Sequence, residues 1–225
     1  GRMIVVRGKQ AAEMTRAELE AAAARHAGVT LDLGAGDGLF AYRYARAHPE
    51  RLLIAVEPVR ENVREASSKA AKKPERGGAP NAVYVAASIE RMPPELAGIA
   101  DEIFVTLPWG SLMRGLILGD RTVLDGVAGC GRPGAHARIV LNTRIFDDPV
   151  PVDARDLPEV TPDYVRETLA ASYAAAGLRI IDARWMDAEE VASLGTTWAK
   201  RLSHRAPPRS VLVECEARAG EGAET

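Results

Sequence analysis

The 225-residue chain carries only two cysteines, Cys130 and Cys215, far apart and outside any C-x-x-C spacing. That excludes a disulfide framework and a cysteine-built metal site, and leaves two buried thiols in a reducing compartment. The four histidines, His26, His48, His136 and His204, are scattered without ligand spacing, so no metal is expected. No apolar run approaches the roughly 18 residues that cross a bilayer, and the N-terminal stretch lacks the apolar centre of a signal peptide. The expectation is a cytoplasmic protein with no membrane partner. An excess of either charge is missing too. With 29 Lys and Arg against 31 Asp and Glu the net charge is −2, so any contact with nucleic acid must come from local clusters. Internal repeats, low-complexity stretches and composition breaks are absent, which predicts one domain over 1–225. Residues 1–28 read as a hairpin and helix extension, and 145–162 and 195–209 as loops on the substrate side.

What is present centres on Leu31-Asp32-Leu33-Gly34-Ala35-Gly36-Asp37-Gly38, followed by an apolar run, 52–56, that ends in Glu57. Residues 29–33 read as a buried strand. Glycines at alternate positions let the backbone turn sharply and approach a ligand closely. Asp37 is placed to cap a helix over 39–47, and Glu57 to accept hydrogen bonds from ribose hydroxyls. A dinucleotide fingerprint would need its third glycine at 39, which is Leu39; Gly38 comes one place early. Asp32 and Asp37 would also repel a pyrophosphate, whereas they would attract the amino and sulfonium cations of S-adenosylmethionine. The pocket therefore favours the methyl donor over NAD.

Along the chain strands and helices alternate. A short strand or hairpin from residue 3 precedes a helix over 16–26. Helices are predicted over 59–73, 110–118, 121–129 and 162–176, the last capped by Thr161 with Pro162 at its first position. Strands are predicted over 82–86, 101–107, 137–142, 178–184 and 210–215, the last entering antiparallel after a helical segment at 187–194. The fold class is α/β, a Rossmann-like class I methyltransferase with a seven-stranded, mostly parallel sheet. Ligands in such sheets lie beyond the carboxyl ends of the strands, so Asp32, Glu57, Ser88 and the segment Leu107-Pro108-Trp109 should share one crevice.

Two of the three tryptophans bear on the substrate. Trp109 sits between Pro108 and Gly110 on a stiff turn, and Trp198 lies on a polar loop followed at once by Lys200 and Arg201. An aromatic plate beside cations can hold an unstacked base while the flanking phosphates are gripped. Trp185, inside an apolar strand, reads as ordinary packing. Basic residues cluster at Arg60, Arg64, Lys69, Lys72, Lys73 and Arg76, and again at Lys200, Arg201, His204, Arg205 and Arg209; alone, either cluster reads as a solvated face. Arg91-Met92-Pro93-Pro94 reads as a surface turn, and Ser111 has no accompanying His and Asp to make a triad.

Taken together, Asp32-x-Gly34-x-Gly36-Asp37-Gly38, Glu90-Arg91-Met92-Pro93-Pro94, Pro108-Trp109-Gly110-Ser111-Leu112-x-Arg114-Gly115 and Thr196-x-Trp198-x-x-Arg201-Leu202 resemble the Kam-type aminoglycoside-resistance methyltransferases. So does Lys69-Ala70-Ala71-Lys72-Lys73-Pro74, and the likeness runs in order over almost the whole chain. These enzymes modify N1 of an adenine in the decoding site of 16S ribosomal RNA. The resemblance implies that Trp109 and Trp198 sandwich the flipped adenine. It implies that Asp32, Gly34, Gly36, Asp37, Glu57, Pro58, Ala87, Ser88, Glu90, Leu107 and Thr196 surround S-adenosylmethionine, with S-adenosylhomocysteine as product. Arg60, Arg64, Lys69, Lys72, Lys73, Arg114, Lys200, Arg201, Arg205 and Arg209 would grip the rRNA of the 30S subunit, with the protein acting as a monomer. The second strand departs by carrying Glu57 where relatives carry Asp. Two other readings remain at this point: a Rossmann methyltransferase for a small molecule or protein, and an RNA-binding protein that holds the cofactor without turnover.

Overall fold

Continuous apolar runs, as opposed to alternating ones, mark strands covered on both faces. The run around Leu31 is one: all six residues of β3 (Gly28–Leu33) are buried. A computed structural model describes residues 2–143, 150, 152–196, 199 and 209–218. The strands are β1 (Ile4–Arg7), β2 (Gln10–Glu13), β3, β4 (Arg51–Glu57), β5 (Ala82–Ala86), β6 (Ala100–Thr106), β7 (Gly131–Asn142), β8 (Leu178–Met186) and β9 (Ser210–Ala217). They form one sheet in the order β2-β1-β5-β4-β3-β6-β7-β9-β8. β3 pairs parallel with β4 and β6, β4 with β5, and β6 with β7. β9 enters antiparallel between β7 and β8.

The expected seven-stranded, mostly parallel sheet is thus corrected to a mixed sheet of nine strands. The two extra strands are the N-terminal hairpin, whose β1 pairs antiparallel with β5 through Ile4 and Val5. The hairpin itself matches the expected N-terminal extension; β2 is exposed along its whole length, so nothing in its side chains shows that the pair joins the sheet.

Helices cover both faces. Alternate residues of the central strands separate into two cores: Leu31, Leu33, Leu52 and Ile54 pack with α1 (Arg16–Ala24), α4 (Gly110–Leu118) and α5 (Arg121–Gly129), while Leu53 and Ala55 pack with α2 (Leu39–Ala47) and α3 (Arg64–Ala70). Thr161 caps α6 (Pro162–Tyr164), accepting from Tyr164 N at 3.0 Å. The predicted helix then continues as a π-helical turn, Val165–Leu169, before α7 (Ala170–Ala175). α8 (Ala188–Ser193) and its C-cap Leu194 cover the carboxyl end of β7 and the amino end of β9, Val191 and Leu194 packing with Val140 and Leu212. The helix predicted over 59–73 is broken into a 3-10 turn, Arg60–Val63, and the short α3. The Glu57 carboxylate accounts for the tight first turn, since it accepts from both Val59 N and the Asn62 side chain.

After β3 the chain builds β4 and β5 on one side, then crosses to lay β6 and β7 on the other. The strand order therefore reverses between β3 and β6, and a crevice opens at their carboxyl ends.

Candidate active site

The turn after β3 is shaped by its glycines. Gly34, Gly36 and Gly38 all have left-handed φ, 72°, 60° and 72°. Gly34 N and Ala35 N donate to Val56 O at 2.9 and 3.0 Å, which fastens the turn to β4. Gly38 has a packing reason besides its φ: a Cβ there would lie 2.7 Å from Tyr84 Cε1. Gly36 faces open space, with nothing within 4 Å of where its Cβ would be. A ligand can therefore lie directly against its backbone. Gly38 is the N-cap residue of α2, and Asp37, one place earlier, accepts from Leu39 N at 3.0 Å.

Glu57, the last residue of β4, is buried. Its Oε1 accepts from Gly36 N at 3.3 Å and its Oε2 from Val59 N at 3.0 Å and Asn62 Nδ2 at 3.2 Å. The carboxylate is held in one orientation and still has lone pairs free for vicinal hydroxyls. Asp32 is 4% exposed. Burial pushes its carboxyl pKa up to about 7; Arg138 opposes the shift, while Asp37 and Glu57 add to it.

These residues line a cleft of about 660 Å³ at the switch point. Every residue expected to face the cofactor, from Asp32 through Glu57, Ser88 and Leu107 to Thr196, lies on its wall, and Trp109 stands at it too. Sequence reasoning missed Phe40, Asn62, Met92 and Thr106. Met92 corrects the reading of 91–94 as a plain surface turn, for it packs on the core and lines the cleft. Phe40 lies on the first turn of α2, next to the glycine turn that carries Asp37. Thr106 Oγ1 is buried without a hydrogen-bond partner among the described residues. A buried hydroxyl left so at a cleft wall is suited to meet a ligand.

Leu107 holds the backbone in an uncommon conformation, with φ 51°, directly before Pro108. For a non-glycine residue this costs about 1–2 kcal/mol. Leu107 is buried and donates its N–H to Val140 O at 2.9 Å, so packing and the sheet hold the strain in place. The consequence is that Trp109, the N-cap residue of α4, projects from the sheet rim with 61% of its surface exposed. Thr196 is brought in from the far side: Arg43 of α2 bonds Gly195 O, and Thr196 Oγ1 accepts from Ala199 N at 3.0 Å. Trp198, Lys200, Arg201 and Arg205 lie outside the described residues.

Trp185 departs from its predicted place in the core. It is 42% exposed on the edge strand β8, with the Arg209 guanidinium 5.4 Å from its ring centroid. β8 pairs with β9 alone, so along its other side no strand packs beside its side chains. Among the other expected rRNA contacts, Arg60, Lys72 and Lys73 are exposed. Arg64 pairs with Glu61 at 3.0 Å and Lys69 with Glu65 at 3.4 Å. Arg114 makes a bidentate pair with Asp156, at 3.0 and 2.9 Å. No group of three His, Cys, Asp or Glu among the described residues is placed to hold a metal ion.

A glycine turn against a buried acid at the end of the next strand, at the switch point of such a sheet, defines an S-adenosylmethionine-dependent α/β methyltransferase. The particular kind follows from comparison with known proteins. Residues 4–217 match the family model NpmA, described as 16S rRNA (adenine(1408)-N(1))-methyltransferase. The enzyme of that name from Streptoalloteichus hindustanus is 41% identical over 196 residues, covering 87% of this chain and 90% of the relative. Among solved structures, a tryptophan-to-alanine variant of the 16S rRNA (adenine(1408)-N(1))-methyltransferase from Catenulisporales acidiphilia, with cosubstrate SAM, superposes with a TM-score of 0.90 at 36% identity, covering 99% of this chain and 100% of that one. The 16S rRNA methyltransferase KamB superposes with 0.88 at 39% identity, over 96% of this chain and 100% of that one. The chain belongs to the 16S rRNA (adenine(1408)-N(1))-methyltransferase family.

Proposed function

We propose that the protein transfers a methyl group from S-adenosylmethionine to N1 of adenine 1408 of 16S rRNA in the 30S subunit. The observation that carries the reading is Trp109: a large indole, 61% exposed, held by a strained turn at the rim of an acid-lined cleft. A small-molecule enzyme would close over such a ring, whereas a base swung out of an RNA loop can be stacked on it.

The residues present fit the donor. Glu57 is oriented to accept from the ribose hydroxyls, Gly36 leaves room for the nucleoside against its backbone, and Asp32 supplies negative charge to the amino group. When bound, S-adenosylmethionine supplies an electrophilic methyl carried on a sulfonium. Adenine N1 has an in-plane lone pair, so no residue has to remove a proton before attack. The protein's part is to hold N1 in line and to exclude water, which is a matter of positioning. The indole face of Trp109 favours the positive charge that develops on the methylated ring. Trp198 is assigned the opposite face of the base, and the exposed Arg60, Lys72 and Lys73, with Lys200, Arg201, Arg205 and Arg209, the rRNA phosphates.

The product carries a methyl and a positive charge at N1, which repels cationic aminoglycosides from the decoding site and confers resistance. Among the described residues no helix is long and apolar enough to cross a membrane, and the reading places a monomer in the cytoplasm. Incubating purified 30S subunits with radiolabelled S-adenosylmethionine tests it. Incorporation into 16S rRNA with wild type, lost in Trp109→Ala, supports the proposal; no incorporation with wild type ends it.

A further inference from the structure

Asp32, Phe104 and Arg138 stand side by side on three adjacent strands: Asp32 of β3 is in register with Phe104 of β6, and Phe104 with Arg138 of β7. The row continues outward to Glu214 of β9. Their strand neighbours Leu31 and Leu33, Ile103 and Val105, Ala137 and Ile139 all belong to the core on the other side of the sheet. Alternation therefore turns all three side chains toward the face that α2 covers. The Arg138 guanidinium lies over the Phe104 ring, 4.1 Å from its centroid, and its Nε is buried with no hydrogen-bond partner among the described residues. A half-buried guanidinium resting on a ring is a costly placement unless its charge is used.

Of the acids around it, Glu102 already accepts from the Thr30 and Tyr44 hydroxyls at 2.9 and 2.8 Å, and Glu214 lies 3.9 Å from His136. Asp32 is the acid in this row that lines the cleft. We infer that Arg138 is a positioning residue for the methyl donor: its charge, carried across the face of Phe104, keeps the buried Asp32 carboxylate ionised to hold the donor's ammonium group. The inference rests on the reading above that the cleft binds S-adenosylmethionine. Asp37 of the glycine turn, Glu57 of β4 and Tyr84 of β5 also face Asp32, and none carries positive charge. Burial, Asp37 and Glu57 all push the Asp32 pKa upward, and Arg138 is the group that pulls it down to about 7.

The test is calorimetric titration of the full chain with S-adenosylmethionine from pH 6 to 9, for wild type, Arg138→Gln, Arg138→Met and Arg138→Lys. Wild-type affinity should fall as pH drops through about 7. In the neutral variants the midpoint moves upward, so affinity relative to wild type falls by about tenfold near pH 7 and converges on the wild-type value by pH 9, while Arg138→Lys keeps the wild-type midpoint. The donor's own amino group titrates near pH 8 in every case, so the difference between variants isolates Arg138. An unchanged midpoint in both neutral variants, or a lysine variant that behaves like them, overturns the proposal. Wild type that binds no S-adenosylmethionine at any pH removes the underlying reading, and the proposal with it. Should the neutral variants fail to fold, carboxyl-carbon NMR of wild-type Asp32 decides: a midpoint at or below about 7 is required, and one well above that means that Arg138 does not keep the carboxylate ionised and overturns the proposal.

Discussion

Replacing Asp32 by Asn removes a charge that the fold has to bury. The carboxyl is 4% exposed, and its pKa rises from 3.8 to about 7 on folding, chiefly through burial. The folded-state value lies above the unfolded one, so ionisation of this acid costs the native state stability. The cost is complete above about pH 7, falls by about 1.4 kcal/mol for each pH unit below that, and vanishes once both states are protonated. A rise of about three units corresponds to about 4 kcal/mol at pH 8 and about 1–2 kcal/mol at pH 5. Asparagine has nearly the same shape and does not titrate. Relative to wild type, the ligand-free variant should therefore be about 2–3 kcal/mol better off at pH 8 than at pH 5. Urea denaturation of both proteins at the two pH values measures this directly, and thermal melts should follow at about 2–4 °C per kcal/mol for a chain of this size. The same substitution should weaken S-adenosylmethionine binding at pH 8 by at least about tenfold, since the charge that costs stability is the one the donor meets. A stability difference that stays constant from pH 5 to pH 8 would refute the reasoning.

Trp109→Ala should lower methyl transfer to 30S subunits by about 10–100-fold, the loss of one base stack, while calorimetric affinity for S-adenosylmethionine stays within about threefold and Trp109→Phe recovers much of the rate. Gly36→Ala puts a Cβ into the cleft at a φ of 60°; the strain of about 1–2 kcal/mol and the blocked approach should reduce donor affinity by about tenfold without preventing folding. A double Lys72→Ala, Lys73→Ala variant should bind 30S subunits more weakly, with the slope of log affinity against log salt reduced by about 1.5 in filter binding, and should leave donor affinity unchanged.

How far the sequence speaks depends on what each residue answers to. β3 and β4 are legible because strands covered on both faces must be apolar throughout, and the glycine turn because Gly34, Gly36 and Gly38 sit at left-handed φ that other residues resist. The acids announce themselves through charge where a dinucleotide would be repelled. The N-terminal hairpin is legible as a hairpin, but its joining of the main sheet beside β5 is not, since edge pairing needs only backbone. Trp185 misleads for the complementary reason: strand composition reports apolarity, but exposure depends on whether a neighbour strand or helix arrives, and β8 lies at the sheet edge. Arg138 is illegible locally, because its relation to Asp32 is set by register across three strands more than a hundred residues apart in sequence.

The most direct measurement is primer extension on 16S rRNA from purified 30S subunits treated with the protein and S-adenosylmethionine, since methylation at N1 blocks the pairing edge and halts reverse transcriptase. The account predicts a new stop adjacent to adenine 1408, present with wild type and strongly reduced with Trp109→Ala. A stop at a different nucleotide, or none alongside demonstrable donor binding, would contradict it.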